Sequence, residues 1–378
     1  MKTAILSTTF HRHQGADRVM WQLADRLSKQ GDRVTIFTFR GTMEPPPNVT
    51  LVTMGMPAGF IGEKLFHLFF SLNAGKGIKY AKALRNFDTI YTGAYPASWL
   101  AYLAKRFYNK EYTYYFFHFN LPGFIPGLLA RSYGRMHVFL EKWTLKRANK
   151  VITISEFSRR SLANLYAKDI EVVYCTVDCD RFKPGLDGSK IRSRYSLADR
   201  PIILCVGQLI PSKGMHLLIE TFNRVKADIS SAQLIIVGKA VFPDYLNKLQ
   251  AMASDSVIFA EDATDDDMPY YYAACDVYAT ATLWEGFNIP LVEAQACGKP
   301  IIAFDIGPHP EVVENGITGI LVPPGNITRL SAEVRELLQN KNAGQEMGKR
   351  GYLMVREKFC ARDPKIGVYH CGAVDNRH

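Results

Sequence analysis

The stretch TLWEGFNIPLVEAQACGKP, residues 282–300, places two glutamates, Glu285 and Glu293, eight positions apart around a turn that opens a helix. A β-rich run at 276–280 ends at this turn. A helical pattern near 290–297 follows it and leads to a second β-rich run at 300–304. Strand, helix and strand in that order form the building block of a parallel sheet. Pro290 suits the first turn of a helix because it has no N–H to lose. Asn288 is a good N-cap residue and tolerates left-handed backbone. Gly286 lets backbone approach a ligand closely. The turn aims the N–H groups of Phe287, Asn288 and Ile289 away from the helix, with the helix dipole behind them, which suits a diphosphate. Carboxylates on either side are strong acceptors for paired hydroxyls, which sugars and riboses supply. Taken alone, the spacing of the two glutamates is better explained by a capped helix with two exposed side chains.

The same alternation runs along the chain in both directions. Strands are predicted at 3–7, 33–38, 88–91, 112–117 and 150–154, with helices near 16–30, 60–85, 97–108, 124–148 and 156–167. Residues 181–200, rich in Pro, Gly, Ser and charge, read as a linker. The rhythm restarts with strands at 202–206, 233–237, 256–259, 276–280, 300–304 and 319–322. Helices lie near 214–227, 243–253, 267–274, 290–297, 328–340 and 344–358. The reading is α/β: two doubly wound parallel-sheet domains, 1–180 and 201–378, facing across a cleft. The tail 359–378 is atypical, because Pro364, Gly367 and Gly372 interrupt any closing helix.

A chain of 378 residues, 47% hydrophobic and 22% charged, suits two soluble globular domains. No run of 18 or more uncharged apolar residues is present, and the start MKTAILSTTF reads as a first strand rather than a leader. Seven cysteines, with no Cys-x-x-Cys pair, predict free thiols in a reducing cytoplasm. Residues 1–180 carry 24 Lys+Arg and 13 Asp+Glu, a net of +11; residues 181–378 carry 22 and 23, a net of −1. The whole excess of +10 lies in the first half, which suggests an anionic partner there. Nucleic acid is not favoured despite a pI near 9.1, since no nucleic-acid-binding motif is present.

Ligands of such sheets bind at the carboxyl ends of strands. HRHQGAD (11–17), HFNLP (118–122), GQLIPSKG (207–214) and TATLWEGFN (280–288) all fall at predicted strand ends. Their agreement across both halves argues more strongly than any one of them.

LWEGFNIPLVEAQACGKPIIA closely resembles the donor-site signature of family-4 retaining glycosyltransferases of the GT-B fold. Further elements match in order: QGADRVMWQLADRLSKQGDRVTIFTF, FFHFNLP, ANKVITISEFSRR, VDCDRF, VGQLIPSKG, LIIVG and GPHPEVVENGITGILVPPGN, over residues 1–358. The resemblance implies that Glu285 holds hydroxyls of the transferred sugar and Glu293 the nucleotide ribose. Gly286, Phe287, Asn288 and Ile289 would offer amides to sugar and phosphate. Lys213 would be the main cation on the leaving diphosphate, with Gly207, Gln208 and, in the first domain, Gly15 beside the donor. His118, ending the aromatic run YTYYFFHF, would hydrogen-bond the donor sugar. No cofactor or metal is implied: positive charge and helix amides stabilise the leaving group. Asp265-Asp266-Asp267 reads as a helix start, and Ser155 as a helix cap.

Several positions depart from the family pattern. Asn288 stands where glycine is usual, and asparagine is the least costly substitute in left-handed backbone. Gln208 stands where arginine is usual, which removes a charge-assisted bond of roughly 1–3 kcal/mol. Lys239, after the strand LIIVG, reads as a solvated surface lysine first and as a substitute cation second. The implied activity is retaining transfer of a hexose, mannose first and glucose second. The donor is a nucleotide diphosphate sugar (GDP-mannose or UDP-glucose) and the acceptor a glycan or a lipid-linked molecule. A catalytically silent nucleotide-sugar-binding regulator is the alternative, supported by Gln208.

Around residues 131–150, Arg131, Arg135, Lys142 and Lys146 share an arc of about 60° on a helix. Tyr133, Met136, Leu140 and Trp143 fall mainly on the far side, as a core stripe. The basic arc predicts docking on an anionic membrane surface, where a lipid-linked acceptor is held. A peripheral position on the inner face of the membrane follows; a merely solvated basic face is the competing reading.

Overall fold

The computed structural model describes residues 1–11, 15–57, 60–71, 73–117, 128–166 and 169–360. The chain divides into two compact units, Met1–Tyr174 and Cys175–Ala361. In the first, seven strands form one parallel sheet: β1 (Lys2–Phe10), β2 (Arg33–Gly41), β3 (Thr50–Thr53), β4 (Thr89–Thr92), β5 (Thr113–Phe116), β6 (Lys150–Thr153) and β7 (Ile170–Val172). Their spatial order is β3-β2-β1-β4-β5-β6-β7. Helices α1 (Gly15–Lys29), α2 (Phe60–Phe70), α3 (Ala74–Ala83), α4 (Ala97–Tyr108), α5 (Leu128–Leu145) and α6 (Glu156–Leu162) connect them.

The second unit holds α7 (Ser189–Arg194) and a six-stranded parallel sheet. Its strands are β8 (Ile202–Val206), β9 (Gln233–Val237), β10 (Val257–Ala260), β11 (Val277–Thr280), β12 (Ile301–Phe304) and β13 (Gly319–Val322), in the order β10-β9-β8-β11-β12-β13. Its further helices are α8 (Met215–Asp228), α9 (Pro243–Met252), α10 (Met268–Ala274), α11 (Ile289–Ala296), α12 (His309–Val312), α13 (Ile327–Gln339) and α14 (Lys341–Lys358). Strands such as QLIIV and IIAF are buried on both faces, which is why they read as unbroken apolar runs rather than alternation. Ile219, Phe222, Leu234, Ile236, Ile302 and Phe304 belong to the resulting core.

Each predicted strand is present to within a few residues, and the two-sheet α/β reading holds. The strands that the pattern missed, β3 and β7, are four and three residues long and lie at the sheet edges. So few residues carry no periodicity, and short edges resist unwanted pairing. The helix expected over 60–85 is two helices: the Asn73 side chain accepts from the Lys76 N–H at 3.2 Å and caps α3.

The stretch 181–200 is not a free linker but part of the second unit. Arg192 donates to the Ala274 carbonyl at 2.7 Å and pairs with Asp276 at 3.2 Å, and Phe182 meets Tyr272 edge-on. A Cβ on Gly188 would sit 2.5 Å from the Ala274 backbone, so its glycine marks close packing rather than disorder.

The expectation that all cysteines are free is overturned for two. Cys179 and Cys360 form a disulfide across 181 residues of sequence, with Cα atoms 5.7 Å apart. The Val177 N–H donates to the Phe359 carbonyl at 2.9 Å beside it. Tertiary pairing over such a distance leaves no spacing signal. Cys175, Cys205, Cys275 and Cys297 are buried and take no part in a disulfide among the described residues. The cysteines therefore do not carry the cytoplasmic expectation. No helix among the described residues is long and apolar enough to cross a membrane.

Helix α5 turns a different face inward from the one its apolar residues suggested. Met136, Leu140 and Trp143 are half-buried, with Trp143 packed on Trp99 and Tyr102. The buried side carries His137, Glu141, Thr144 and Leu145. Tyr114 donates to Glu141 at 3.4 Å, and His137 lies 3.9 Å from the same carboxyl while its Nε2 meets the Tyr95 carbonyl. Burial lowers the His137 pKa and pushes Glu141 up to about 8. At neutral pH both are therefore mainly uncharged, and their contact is polar rather than ionic. A folded-state pKa above the ordinary carboxyl value means that folding takes up a proton. Glu141 is thus costless below about 4.5 and increasingly destabilising as pH rises towards 8, by up to about 1.4 kcal/mol per pH unit. Relative to wild type, Glu141→Gln is expected to gain stability between pH 5 and pH 8, read by urea unfolding at several pH values. A difference independent of pH would contradict this account.

Candidate functional site

The connections from β8 and β11 leave towards opposite sides of the second sheet, so their carboxyl ends frame a crevice. After β8 the chain passes Gly207 and Gln208, makes a 3-10 turn at Pro211–Lys213 and enters α8 through Gly214. Gly214 has φ +63°, and a Cβ there would lie 1.9 Å from the Ala281 carbonyl oxygen just past β11. Only glycine fits. The Leu283 N–H donates to the Ser212 carbonyl at 2.8 Å, joining the two loops. The loops so joined carry Lys213 and Glu285, whose ammonium and carboxylate form an ion pair with side chains 22% and 11% exposed. Gly207 lies beneath the Lys213 side chain, and Gly238 packs where a Cβ would meet the Gly207 carbonyl at 1.9 Å.

The N-terminus of α11 completes this group. Pro290 occupies its first turn, as the sequence predicts. Asn288 stands at the N-cap with φ 73° and ψ 66°, the left-handed conformation expected for this substitute for glycine. Its side chain does not cap the helix. It meets His309 Nε2 at 2.9 Å, while His309 Nδ1 meets the Phe304 carbonyl at 2.7 Å. Phe287 is buried and meets Phe359 edge-on. Glu293 lies in the second helical turn; it is 2% exposed and accepts from the Tyr272 hydroxyl at 2.8 Å. Burial first, then the Glu293 charge, raises the Tyr272 pKa far above its usual value and keeps it a donor.

Glu285, Lys213, Gly207, Gln208, Gly286, Phe287, Asn288, Ile289 and Glu293 thus gather on β8, β11 and α11. Gln208 is half-buried and Lys239 exposed. Asp265–Asp267 is a 3-10 turn with a capping box: Thr264 accepts from the Asp267 N–H, and the Asp267 side chain accepts in return. Asp267 also pairs with Lys190 and Asp265 with Arg181. Sequence reading did not single out His309 or Tyr272. No local pattern marks either, because each meets its partner 21 positions away in the chain.

In the first unit, Gly15 begins α1, and beyond its chain neighbours and its own helix backbone no atom of the described residues lies within 4 Å of where a Cβ would be. Two residues on, buried Asp17 accepts from Ser7, Thr9 and the His11 N–H at 3.3, 3.0 and 2.8 Å, which anchors the end of β1 to α1. His118 and Arg12 lie outside the described residues, and α5 contains Arg131 without its side chain being described. Arg135 is exposed, Lys142 half-buried and Lys146 exposed just past the end of α5. Phe139, on the same face, is 64% exposed. Ser155 caps α6, accepting from the Ser158 N–H at 3.1 Å.

Two family models match the chain: Glycosyltransferase Family 4 over residues 13–181 and Glycosyl transferases group 1 over residues 189–354. A GDP-mannose-dependent alpha-(1-6)-phosphatidylinositol monomannoside mannosyltransferase of Mycolicibacterium smegmatis is 32% identical over 219 residues, 54% of this chain and 56% of that protein. The match thus spans little more than half the length of that relative. A D-inositol 3-phosphate glycosyltransferase of Mycobacterium bovis is 27% identical over 86% of this chain and 71% of its own. Among solved structures, sucrose-phosphate synthase from Thermosynechococcus elongatus has a TM-score of 0.80 at 22% identity, over 95% of each chain. HepE from Anabaena, in complex with UDP and glucose, has 0.80 at 21% identity over 95% of this chain and 96% of its own. Two Rossmann-like units and two matched family models lead to one conclusion: the chain belongs to glycosyltransferase family 4 and has the GT-B fold.

Proposed function

We propose that the chain transfers a hexose from a nucleotide diphosphate sugar to a glycan or lipid-linked acceptor, retaining the anomeric configuration and using no metal. The observation that carries this reading is the Lys213–Glu285 ion pair beside the N-terminus of α11, at the switch point of the second sheet. A diphosphate arriving there meets a cation and the positive end of a helix. Lys213 then shares its charge with the phosphates, and Glu285 accepts hydroxyls of the sugar. Glu293, held by Tyr272, serves the ribose. Charge developing on the leaving diphosphate is met by Lys213 and the backbone amides. In front-face transfer the acceptor oxygen bonds to the anomeric carbon as the bond to the phosphate oxygen breaks, and the acceptor proton passes to that phosphate. The relative named as GDP-mannose-dependent supports GDP-mannose as first donor and a phospholipid-borne acceptor, with UDP-glucose second. The exposed face of Arg135, Phe139 and Lys146, in the basic first half of the chain, supports docking on an anionic membrane surface at the cytoplasmic side.

Glu285→Ala is expected to lower turnover with the accepted nucleotide sugar roughly 100-fold while binding of the free nucleoside diphosphate survives. Lys213→Ala should impair both, and Glu293→Ala should weaken nucleotide binding more than turnover. Near-normal turnover of Glu285→Ala, or no binding of GDP or UDP by the wild type in calorimetry, would overturn the donor site.

Replacing Gln208 by arginine tests the missing charge: roughly tenfold tighter binding of the diphosphate is expected. Weaker binding would assign Gln208 a packing role of its own.

Co-sedimentation with phosphatidylglycerol-containing vesicles should fall as salt rises from 50 to 500 mM. Reversing Arg135, Lys142 and Lys146 to glutamate should abolish it while nucleotide binding persists. Indifference to anionic vesicles at low salt would point to a soluble acceptor.

A further inference from the structure

We infer that His309 is a positioning residue for the donor loop: as the neutral Nδ1–H tautomer it accepts a hydrogen bond from the Asn288 side chain and so holds the Asn288 backbone in the left-handed conformation that starts α11. The inference rests on the donor reading above and adds a residue that does not touch the donor itself.

The tautomer follows from the partners. The Phe304 carbonyl can only accept, so His309 Nδ1, 2.7 Å away, carries the proton. In the neutral ring Nε2 is then an acceptor, and the Asn288 group facing it at 2.9 Å must be the NH2. His309 is fully buried, and Asn288 is 6% exposed. A protonated ring would make Nε2 a donor, and the Asn288 amide would have to turn its oxygen towards it. Burial lowers the His309 pKa, which favours the neutral ring. The charges acting on it are Glu285 and Asp305, which favour protonation, and Lys213, which opposes it. Lys213 and Glu285 are the ion pair of the proposed donor site, so the ring is within electrostatic reach of that pair.

The chemistry explains why an asparagine stands here. A non-glycine residue in left-handed backbone is disfavoured by about 1–2 kcal/mol, and asparagine is tolerated because its short side chain can be tethered. An asparagine at an N-cap ordinarily turns that side chain onto the helix amides. Here the tether runs sideways to His309 instead, on α12, and the N-terminus of α11 is left uncapped by Asn288. Glycine at 288 would need no tether; asparagine needs His309.

The test is a double-mutant cycle on the full chain, with GDP and UDP as the probes in titration calorimetry. His309→Leu should weaken binding of whichever diphosphate the wild type takes by about tenfold, the consequence of one unpaired buried donor. Asn288→Gly alone should shift it far less. The double variant should recover to within about threefold of Asn288→Gly, because the residue that needed the tether is gone. Circular dichroism and urea unfolding establish that each variant is folded. Where His309→Leu is not, His309→Asn, which can keep a donor towards Phe304 but lacks Nε2, takes its place with the same expectation. Nitrogen NMR of the wild-type histidines should show His309 protonated at Nδ1 and unprotonated at Nε2. The inference is overturned by any of three results: the Nε2–H tautomer, His309→Leu binding within twofold of wild type, or a folded double variant as weak as His309→Leu. Failure of the wild type to bind either diphosphate would instead bring down the donor reading itself, with the tautomer still measurable.

Discussion

The second unit depends on one close approach. Gly214 lies against the Ala281 carbonyl, where a single added carbon would stand 1.9 Å from the oxygen. This contact joins the loop after β8 to the loop after β11, and a backbone hydrogen bond between Leu283 and Ser212 seals it. Everything chemical in the unit hangs from these two loops. Lys213 precedes Gly214 and Glu285 lies four residues beyond Ala281, so the close approach puts cation and carboxylate in contact. Neither long side chain has to search for the other, which reduces the entropy lost on pairing.

Around this pair, buried polar groups orient one another. Tyr272 directs Glu293, and His309 directs Asn288, each from an element packed beside α11. Such groups are favourable only when their partners are in place, because an unpaired buried donor or acceptor costs about 1–3 kcal/mol. The turn that starts α11 is therefore held by buried side chains on neighbouring elements. The first unit shows the same logic at the end of β1, where Asp17 gathers Ser7, Thr9 and the His11 N–H.

Much of this is legible along the chain. Strands buried on both faces advertise themselves as apolar runs, Pro290 marks the start of α11, and glycines mark sites of close approach. The two carboxylates were recognisable because the turn between them has its own backbone chemistry. The faces of α5 were harder to read. Met136, Leu140 and Trp143 looked like the core stripe, yet His137, Glu141 and Thr144 take the buried side because the Tyr95 carbonyl, Tyr114 and Ser98 respectively offer them partners. Hydrophobicity ranks residues one at a time and cannot see that two polar groups will satisfy each other.

The sequence by itself determined the parallel α/β class and the turn between Glu285 and Glu293 that opens α11, because these follow from local periodicity and turn chemistry; Lys213 was singled out by the family resemblance alone. Tertiary structure alone decided the Cys179–Cys360 disulfide, the folding of 181–200 into the second unit, and the pairing of Asn288 with His309. These join residues 21 to 181 positions apart. A contact between distant residues is chosen by the packing of whole elements, and no window along the chain contains both partners at once.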